Sequence, residues 1–190
     1  MTTQVKYKLG EREANGLCRV IALAAFSDVS VGDVGGYVED ERNLAHTGDA
    51  WVSGDARVFG DARVSGDARV SGDARVFGDA QVSGNAQVYG YARVFGDAQV
   101  YRNAQVYRNA RVSGDALVSV VCTATPKVIT GLRYTLTITD EHLRAGCQVY
   151  TFQEWRNKTE RDVLAMDGKA ALVFYKETLI PLMDVLKLGV

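Results

Sequence analysis

The side chains of this sequence that could carry chemistry are two histidines, three cysteines, and arginines and aspartates at regular intervals. His142 precedes Cys147 by five residues, a spacing that could bring a base beside a nucleophile. No third partner is evident in the sequence, and an isolated histidine or cysteine is usually structural, so we interpret the two as a capping histidine and a core cysteine. His46 falls where later repeats have an inward valine, and we interpret it as structural too. The sequence therefore predicts no catalytic residue.

The cysteines and aspartates also bear on metal binding. Cys18, Cys122 and Cys147 are odd in number and lack a CxxC spacing, which argues against a disulfide framework and a structural zinc site. Aspartates recur along the chain, but the sequence lacks the glycine-rich nonapeptide that binds calcium in β-roll proteins. We predict no metal and no cofactor.

A short repeat positions most of these residues. Valine recurs every six residues from Val52 to Val118, twelve times without a gap, and alanine recurs in the same phase from Ala50 to Ala116. A fixed short period predicts one structural unit stacked on copies of itself. In each unit a short strand would point its valine inward and both neighbours outward, and a Gly-Asp or Gly-Asn pair would turn the corner.

A longer period shows how many units make one coil. The segment RVFGDA begins at Arg57, again at Arg75 and again at Arg93, so it returns every eighteen residues, or three units. Three sides of six residues predict a triangular β-solenoid. Its coils would stack at about 4.8 Å and place residues eighteen apart one above another.

Stacking turns scattered residues into rows on the predicted faces. One face would carry a row of arginines and a row of phenylalanines, with a row of aspartates at its corner that we expect to pair with the arginines. Three exposed phenylalanines in register form an apolar patch, which must be covered by the chain's own C-terminal region, an identical subunit or another protein. The predicted protein-binding residues, including two tyrosines on another face, are Arg57, Phe59, Arg75, Phe77, Arg93, Phe95, Arg111, Tyr89 and Tyr107.

The segments that flank the repeat lack its six-residue period and predict longer strands and helices. Leu17–Leu23 predicts a strand, and Arg133–Thr139 alternates as a half-buried strand does. Thr151 with Glu154, and Thr159 with Asp162, have the form of capping boxes at helix starts. An amphipathic terminal helix is expected, interrupted or restarted at Pro181. We predict a mainly β protein with an N-terminal β cap (1–33), a β-helix (34–120) and a C-terminal strand-plus-helix module (121–190).

Composition limits the partners and the compartment. The formal net charge is -1, from 22 basic and 23 acidic residues, which does not suggest a nucleic-acid or membrane-surface binder. No apolar run is long enough to span a bilayer, and the first residues lack the apolar core of a secretory signal. We expect a cytoplasmic protein.

The repeat over roughly residues 34–120 resembles that of the hexapeptide-repeat, or left-handed parallel β-helix, proteins. Gly32–Val52 and Thr137–Trp155 are similar to segments of phage, prophage and bacterial members that are often labelled putative transferases. The resemblance implies a left-handed coil, whereas the general rule for parallel crossovers predicts the right hand. It also implies an alternative activity, acyl transfer from an acyl-CoA with a histidine as base. The repeat, however, contains no histidine and no inserted loop.

These observations together predict a non-catalytic, protein-binding β-solenoid that assembles as a dimer or trimer. The resemblance implies a phage- or prophage-encoded protein acting in the host cytoplasm, and inhibition of a host defence factor is one form that the binding could take. A hexapeptide-repeat acyltransferase is the alternative function.

Overall fold

The computed structural model describes residues 5–189, so residues 1–4 of the predicted cap, and Val190, lie outside the description. The chain separates into two compact units, one ending at Pro126 and the other beginning at Lys127. The prediction of a separate N-terminal cap domain stays a prediction. No helix within residues 5–189 has the length and apolar character needed to cross a membrane.

The first unit begins with three antiparallel strands, β1 (Tyr7–Arg12), β2 (Cys18–Ala22) and β3 (Val34–Val38). Strand β2 coincides with the strand predicted over Leu17–Leu23. Alternating burial along β2 places Cys18, Val20 and Ala22 inside.

From residue 51 the strands are two residues long and begin every six residues. They are β4 (Trp51–Val52), β5 (Arg57–Val58), β6 (Arg63–Val64), β7 (Arg69–Val70), β8 (Arg75–Val76), β9 (Gln81–Val82), β10 (Gln87–Val88), β11 (Arg93–Val94), β12 (Gln99–Val100), β13 (Gln105–Val106), β14 (Arg111–Val112) and β15 (Leu117–Val118). A last strand, β16 (Val121–Cys122), follows closely.

These strands form three parallel ladders that together make a β-solenoid of about five turns. One ladder continues from β3 through β5, β8, β11 and β14; the second has the order β4, β7, β10, β13, β16; and the third has the order β6, β9, β12, β15. Arg57 pairs with Arg75, and Arg75 with Arg93, so residues eighteen apart are neighbours. The prediction of a β-solenoid is confirmed, and its left hand stays a prediction.

The interior of the solenoid is filled by the repeating valines and alanines. Val58 and Val76, which are paired neighbours, are both fully buried, and so is Ala56. A valine fills the interior behind each side, while the small alanine fits behind the corner. Because the same residue returns at each level, successive coils bury their apolar groups against each other.

The first coil departs from the expected phase. Leu44 bridges Val64, and Val38 pairs with Val58, so these partners lie twenty residues apart instead of eighteen. A 3₁₀ turn at Glu41–Asn43 precedes Leu44. The two additional residues lie after it, because Leu44 and Val52 are eight residues apart whereas their partners Val64 and Val70 are six apart. The expectation that His46 takes an inward valine position is therefore wrong.

The second unit combines a small antiparallel sheet with helices. Its strands are β17 (Lys127–Ile129), β18 (Leu136–Ile138), β19 (His142–Ala145) and β20 (Gln148–Thr151). They are followed by α1 (Phe152–Arg156), α2 (Glu160–Phe174), a π-helical turn (Tyr175–Leu179) and α3 (Ile180–Val185). Both predicted capping boxes are present, and Pro181 lies in the first turn of α3. The core includes Trp155, Phe174, Leu179 and Met183.

Candidate protein-binding face

A row of three phenylalanines lies on the sheet formed by β5, β8 and β11. The Phe59 and Phe77 rings stack with centroids 5.1 Å apart, and the Phe77 and Phe95 rings with centroids 5.0 Å apart; both pairs are within 2° of parallel. Each ring follows an inward valine, and the Phe59 amide donates to the Val76 carbonyl of the next coil. The three rings are half-buried, so part of their apolar surface stays accessible.

The arginine row lies on the same sheet, on the other side of the inward valines. Arg57 is half-buried, with its guanidinium 5.9 Å from the centroid of Tyr37, whereas Arg75, Arg93 and Arg111 are exposed. Arg111 lies 5.7 Å from the Phe95 centroid. We call the seven side chains of these two rows the aromatic–arginine face: Arg57, Arg75, Arg93, Arg111, Phe59, Phe77 and Phe95.

The expected pairing of these arginines with the corner aspartates is not seen. Within residues 5–189 no ion pair joins the arginine row to the aspartates at positions 61, 79, 97 and 115. Asp61 instead lies 3.4 Å from Arg42 of the 3₁₀ turn. The phenylalanine and the glycine turn that follows it lie between each arginine and its corner aspartate. The guanidinium groups of the arginine row therefore keep donors available for another acceptor.

The two predicted tyrosines lie elsewhere on the solenoid. Tyr89 and Tyr107 follow β10 and β13, which belong to the second parallel ladder. Their rings stack at 4.9 Å and within 1° of parallel. The structure therefore forms two aromatic rows on different sheets, and the tyrosines are not part of the aromatic–arginine face.

Sequence reasoning missed how the face continues at its N-terminal end. Tyr37 pairs with Arg57 and so extends the arginine row, and the guanidinium of Arg19 lies 3.9 Å from the Tyr37 centroid. Glu39 extends the phenylalanine row, and its Oε2 accepts a hydrogen bond from the Gly60 amide at 2.6 Å. The sequence does contain a pattern that indicates this pairing, because Tyr37 precedes Val38 as Arg57 precedes Val58. The two additional residues of the first coil shift that pattern out of the eighteen-residue period, so the period alone does not predict the pairing.

A buried lysine at the start of the solenoid was also missed. Lys6 donates from Nζ to the carbonyl oxygens of Gly48 and Ala50, at 3.1 and 2.8 Å. Burial lowers the pKa of its ammonium to about 8, because removing a charge from water disfavours the charged form. Tyr7 beside it donates to the Leu44 carbonyl at 2.6 Å, and burial raises the pKa of its hydroxyl.

The histidines and the exposed cysteine do not assemble into a site. The His46 ring stacks on Tyr7 with centroids 4.1 Å apart. His142 opens β19, whereas Cys147 lies in the turn beyond the other end of that strand, so the two are separated by the strand's length. The prediction that Cys147 is a core cysteine is wrong, because its side chain is exposed in the turn between β19 and β20. No group of three or more histidine, cysteine or acidic side chains in residues 5–189 is arranged to hold a metal ion.

Comparison with known families bears on the solenoid that carries this face. Six segments match the family model described as the YdcK beta solenoid repeat: residues 50–66, 62–78, 68–84, 80–94, 86–102 and 104–119. This region is a repeat β-solenoid. The matched segments include every member of the aromatic–arginine face as well as Tyr89 and Tyr107. No curated protein shows significant similarity to the chain.

Proposed function

We propose that this chain is a non-catalytic protein-binding scaffold, and that the aromatic–arginine face is its docking surface. The observation that carries the proposal is the register of the two rows, in which stacked, half-buried phenylalanines lie beside exposed arginines that have no acidic partner within residues 5–189. Aromatic and arginine side chains are enriched among the anchors of protein interfaces. The stacked rings on a regular sheet are already ordered, so binding through them costs little conformational entropy.

The chemistry of the face defines the surface that it fits. The phenylalanine row requires an apolar strip about as long as three coils, which is about 10 Å between the outer rings at the usual strand spacing. The arginine row beside it requires carboxylates at the same spacing. A partner without the apolar strip would leave the phenylalanine row exposed. A partner without the carboxylates would desolvate the guanidinium groups and offer them no acceptor.

A second copy of the chain satisfies both requirements. Across the face the rows run in the order arginine, phenylalanine, aspartate. Consider a second copy that faces the first with the two solenoid axes parallel. Its rows then run in the reverse order across the interface. The arginine row of each copy therefore lies opposite the aspartate row of the other, and the two phenylalanine rows meet. An antiparallel copy would place arginine opposite arginine. We therefore propose a homodimer with a two-fold axis parallel to the solenoid axes.

The setting of this function follows from the resemblance to phage and prophage hexapeptide-repeat proteins. It supports a left-handed coil, a phage or prophage origin and action in the host cytoplasm. Inhibition of a host defence factor is the form of protein binding that this setting favours. The host factor would compete with the second copy for the same face, since both meet the same rows.

The acyltransferase alternative has no comparable support from side-chain placement. His46 is stacked on Tyr7, and His142 and Cys147 are separated by the length of β19. Saturable binding of an acyl-CoA that is lost on His142→Ala would move this alternative to first place.

Replacing the three phenylalanines with serine tests the proposed function. The valine core does not contain these rings, so Phe59→Ser, Phe77→Ser and Phe95→Ser together should leave the far-ultraviolet circular dichroism of the solenoid unchanged. The triple variant should lose self-association in sedimentation and lose partner capture in an affinity pull-down from host extract. The matched control is Tyr89→Ser with Tyr107→Ser, which removes a stacked pair from another sheet and should change neither. Unaltered association of the phenylalanine variant would refute the proposal.

A further inference from the structure

The C-terminal unit contains a cavity of about 240 Å³ between its sheet and its helices. Aromatic rings form much of its wall: Tyr134, Trp155, Phe174 and Tyr175. An engineered cavity of about 150 Å³ with apolar walls is large enough to bind benzene, so this one has room for a second fused ring. The volume thus fits a small bicyclic molecule.

Interactions within the protein hold the aromatic wall in place. The Trp155 indole donates from Nε1 to the Leu143 carbonyl at 2.6 Å, and the Tyr175 hydroxyl donates to the Trp155 carbonyl at 2.7 Å. Tyr134 and Phe174 pack edge to face, with centroids 4.9 Å apart. The rings therefore need little rearrangement before they contact an occupant, as is usual for small-molecule sites.

Two local features keep the cavity open. Small side chains face it from opposite sides, Ala145 at the end of β19 and Ala171 in α2. Helix α2 is also broken where it borders the cavity, because Asp167 and Gly168 have non-helical backbone angles. Asp167, at this break, is one of the residues that line the cavity, and its side chain is about 60% exposed.

Asp167 gives the lining a directional polar group. Its Oδ2 accepts a hydrogen bond from the Tyr134 hydroxyl, and it lies 3.9 Å from Nη2 of Arg133. A carboxylate has about four acceptor positions, so a further donor can be accommodated. A ring N–H directed at this carboxylate would form a charge-assisted hydrogen bond.

We propose that this cavity binds a small planar aromatic molecule of about the size of indole, with its N–H group at Asp167. The aromatic walls supply stacking and edge contacts, and the carboxylate fixes the orientation. The site lies within the C-terminal unit and is independent of the aromatic–arginine face.

Calorimetric titration of the full chain with indole tests the inference, with benzofuran as an isosteric probe that lacks the N–H group. Indole should bind with a Kd below about 1 mM, and benzofuran more weakly. Asp167→Ala should reduce indole to the affinity of benzofuran. Failure of both probes to bind, or equal affinity for the two in the unmodified chain, would overturn the proposal.

Filling the cavity gives the second arm of the test. Ala171→Phe should raise the Kd for indole at least about tenfold, because the new ring occupies the space that the ligand needs. The matched control is Ala165→Phe, which adds the same ring at an exposed position of the same helix and should leave binding unchanged. If circular dichroism shows that Ala171→Phe is unfolded, Ala145→Leu is used instead, because Ala145 lines the same cavity from the sheet. Indole binding that survives in a folded cavity-filled variant would contradict the site.

Discussion

Lys6 shows how a single residue can stabilise the first coil in a way that depends on pH. Its Nζ reaches the Gly48 and Ala50 carbonyls, which the short strands of the first coil would otherwise leave to water. The arrangement buries an ammonium group, and the lowered pKa reflects the cost of that burial. No periodic signal marks Lys6 in the sequence, because its role arises only when the N-terminal strands fold against the solenoid.

The free energy of unfolding should therefore rise with pH between about 8 and 10. In that window the unfolded chain keeps the Lys6 proton while the folded chain has lost it, so raising the pH favours the folded state, by no more than about 3 kcal/mol. Above about pH 10 the sign reverses, because the raised pKa of Tyr7 makes the unfolded chain release its proton first. Urea denaturation from pH 7 to 11 measures the profile.

Lys6→Met is the control for this profile, since it keeps the aliphatic length and removes the titrating group. The difference in unfolding free energy between the original chain and Lys6→Met should grow from pH 8 to 10. A difference that stays constant across that range would show that Lys6 does not titrate as its burial requires.

At the scale of the elements, the corners explain where the repeat tolerates substitution. A Cβ atom on Gly66 would lie 2.9 Å from the Gly84 amide nitrogen of the next coil. Arg102 and Arg108 take the same corner position with positive φ, at 59° and 60°. Both lie near the C-terminal end of the repeat, whose last valine is Val118. The close approach of coils, more than the backbone angle alone, thus requires glycine at the inner corners.

Gly66→Ala and Gly114→Ala should therefore differ in stability. Both have positive φ, so each alanine carries a conformational cost of about 1–2 kcal/mol. Apart from its chain neighbours, no atom of residues 5–189 lies within 4 Å of a Cβ added at Gly114, whereas at Gly66 the backbone of the next coil must shift. We expect Gly66→Ala to be more destabilising by at least about 1 kcal/mol in urea denaturation. Equal losses would mean that the backbone angle alone selects glycine.

The elements that could be predicted from the sequence are those specified by local patterns. The valine period located the short strands, and Thr151 and Thr159 with their acidic partners located two helix starts. The break at Asp167–Gly168 and the longer first coil were not predicted. Each depends on how an element packs, and the twenty-residue spacing from Val38 to Val58 follows no period that the rest of the chain repeats.

At the scale of the whole molecule, the sequence predicted which residues align but not all of their contacts. The phenylalanine row could be predicted because Phe59, Phe77 and Phe95 share one interval. The missing arginine–aspartate pairs could not, because pairing depends on side-chain direction around a glycine turn. The arginine row, and the aspartates at positions 79, 97 and 115, therefore have no ion-pair partner within residues 5–189, and their availability to a facing surface is the basis of the proposed function.

Solution mass is the most direct test of this account, measured by light scattering on charge-reversed variants. One variant carries Arg75→Asp with Arg93→Asp, and the other carries Asp79→Arg with Asp97→Arg. The unmodified protein should have twice the 20.7 kDa mass of one chain, and each variant alone the mass of one chain, because like charges then face each other. An equimolar mixture of the variants should regain the two-chain mass, since opposite charges then meet. Variants that keep the two-chain mass on their own, or a mixture that stays monomeric, would contradict the face-to-face arrangement.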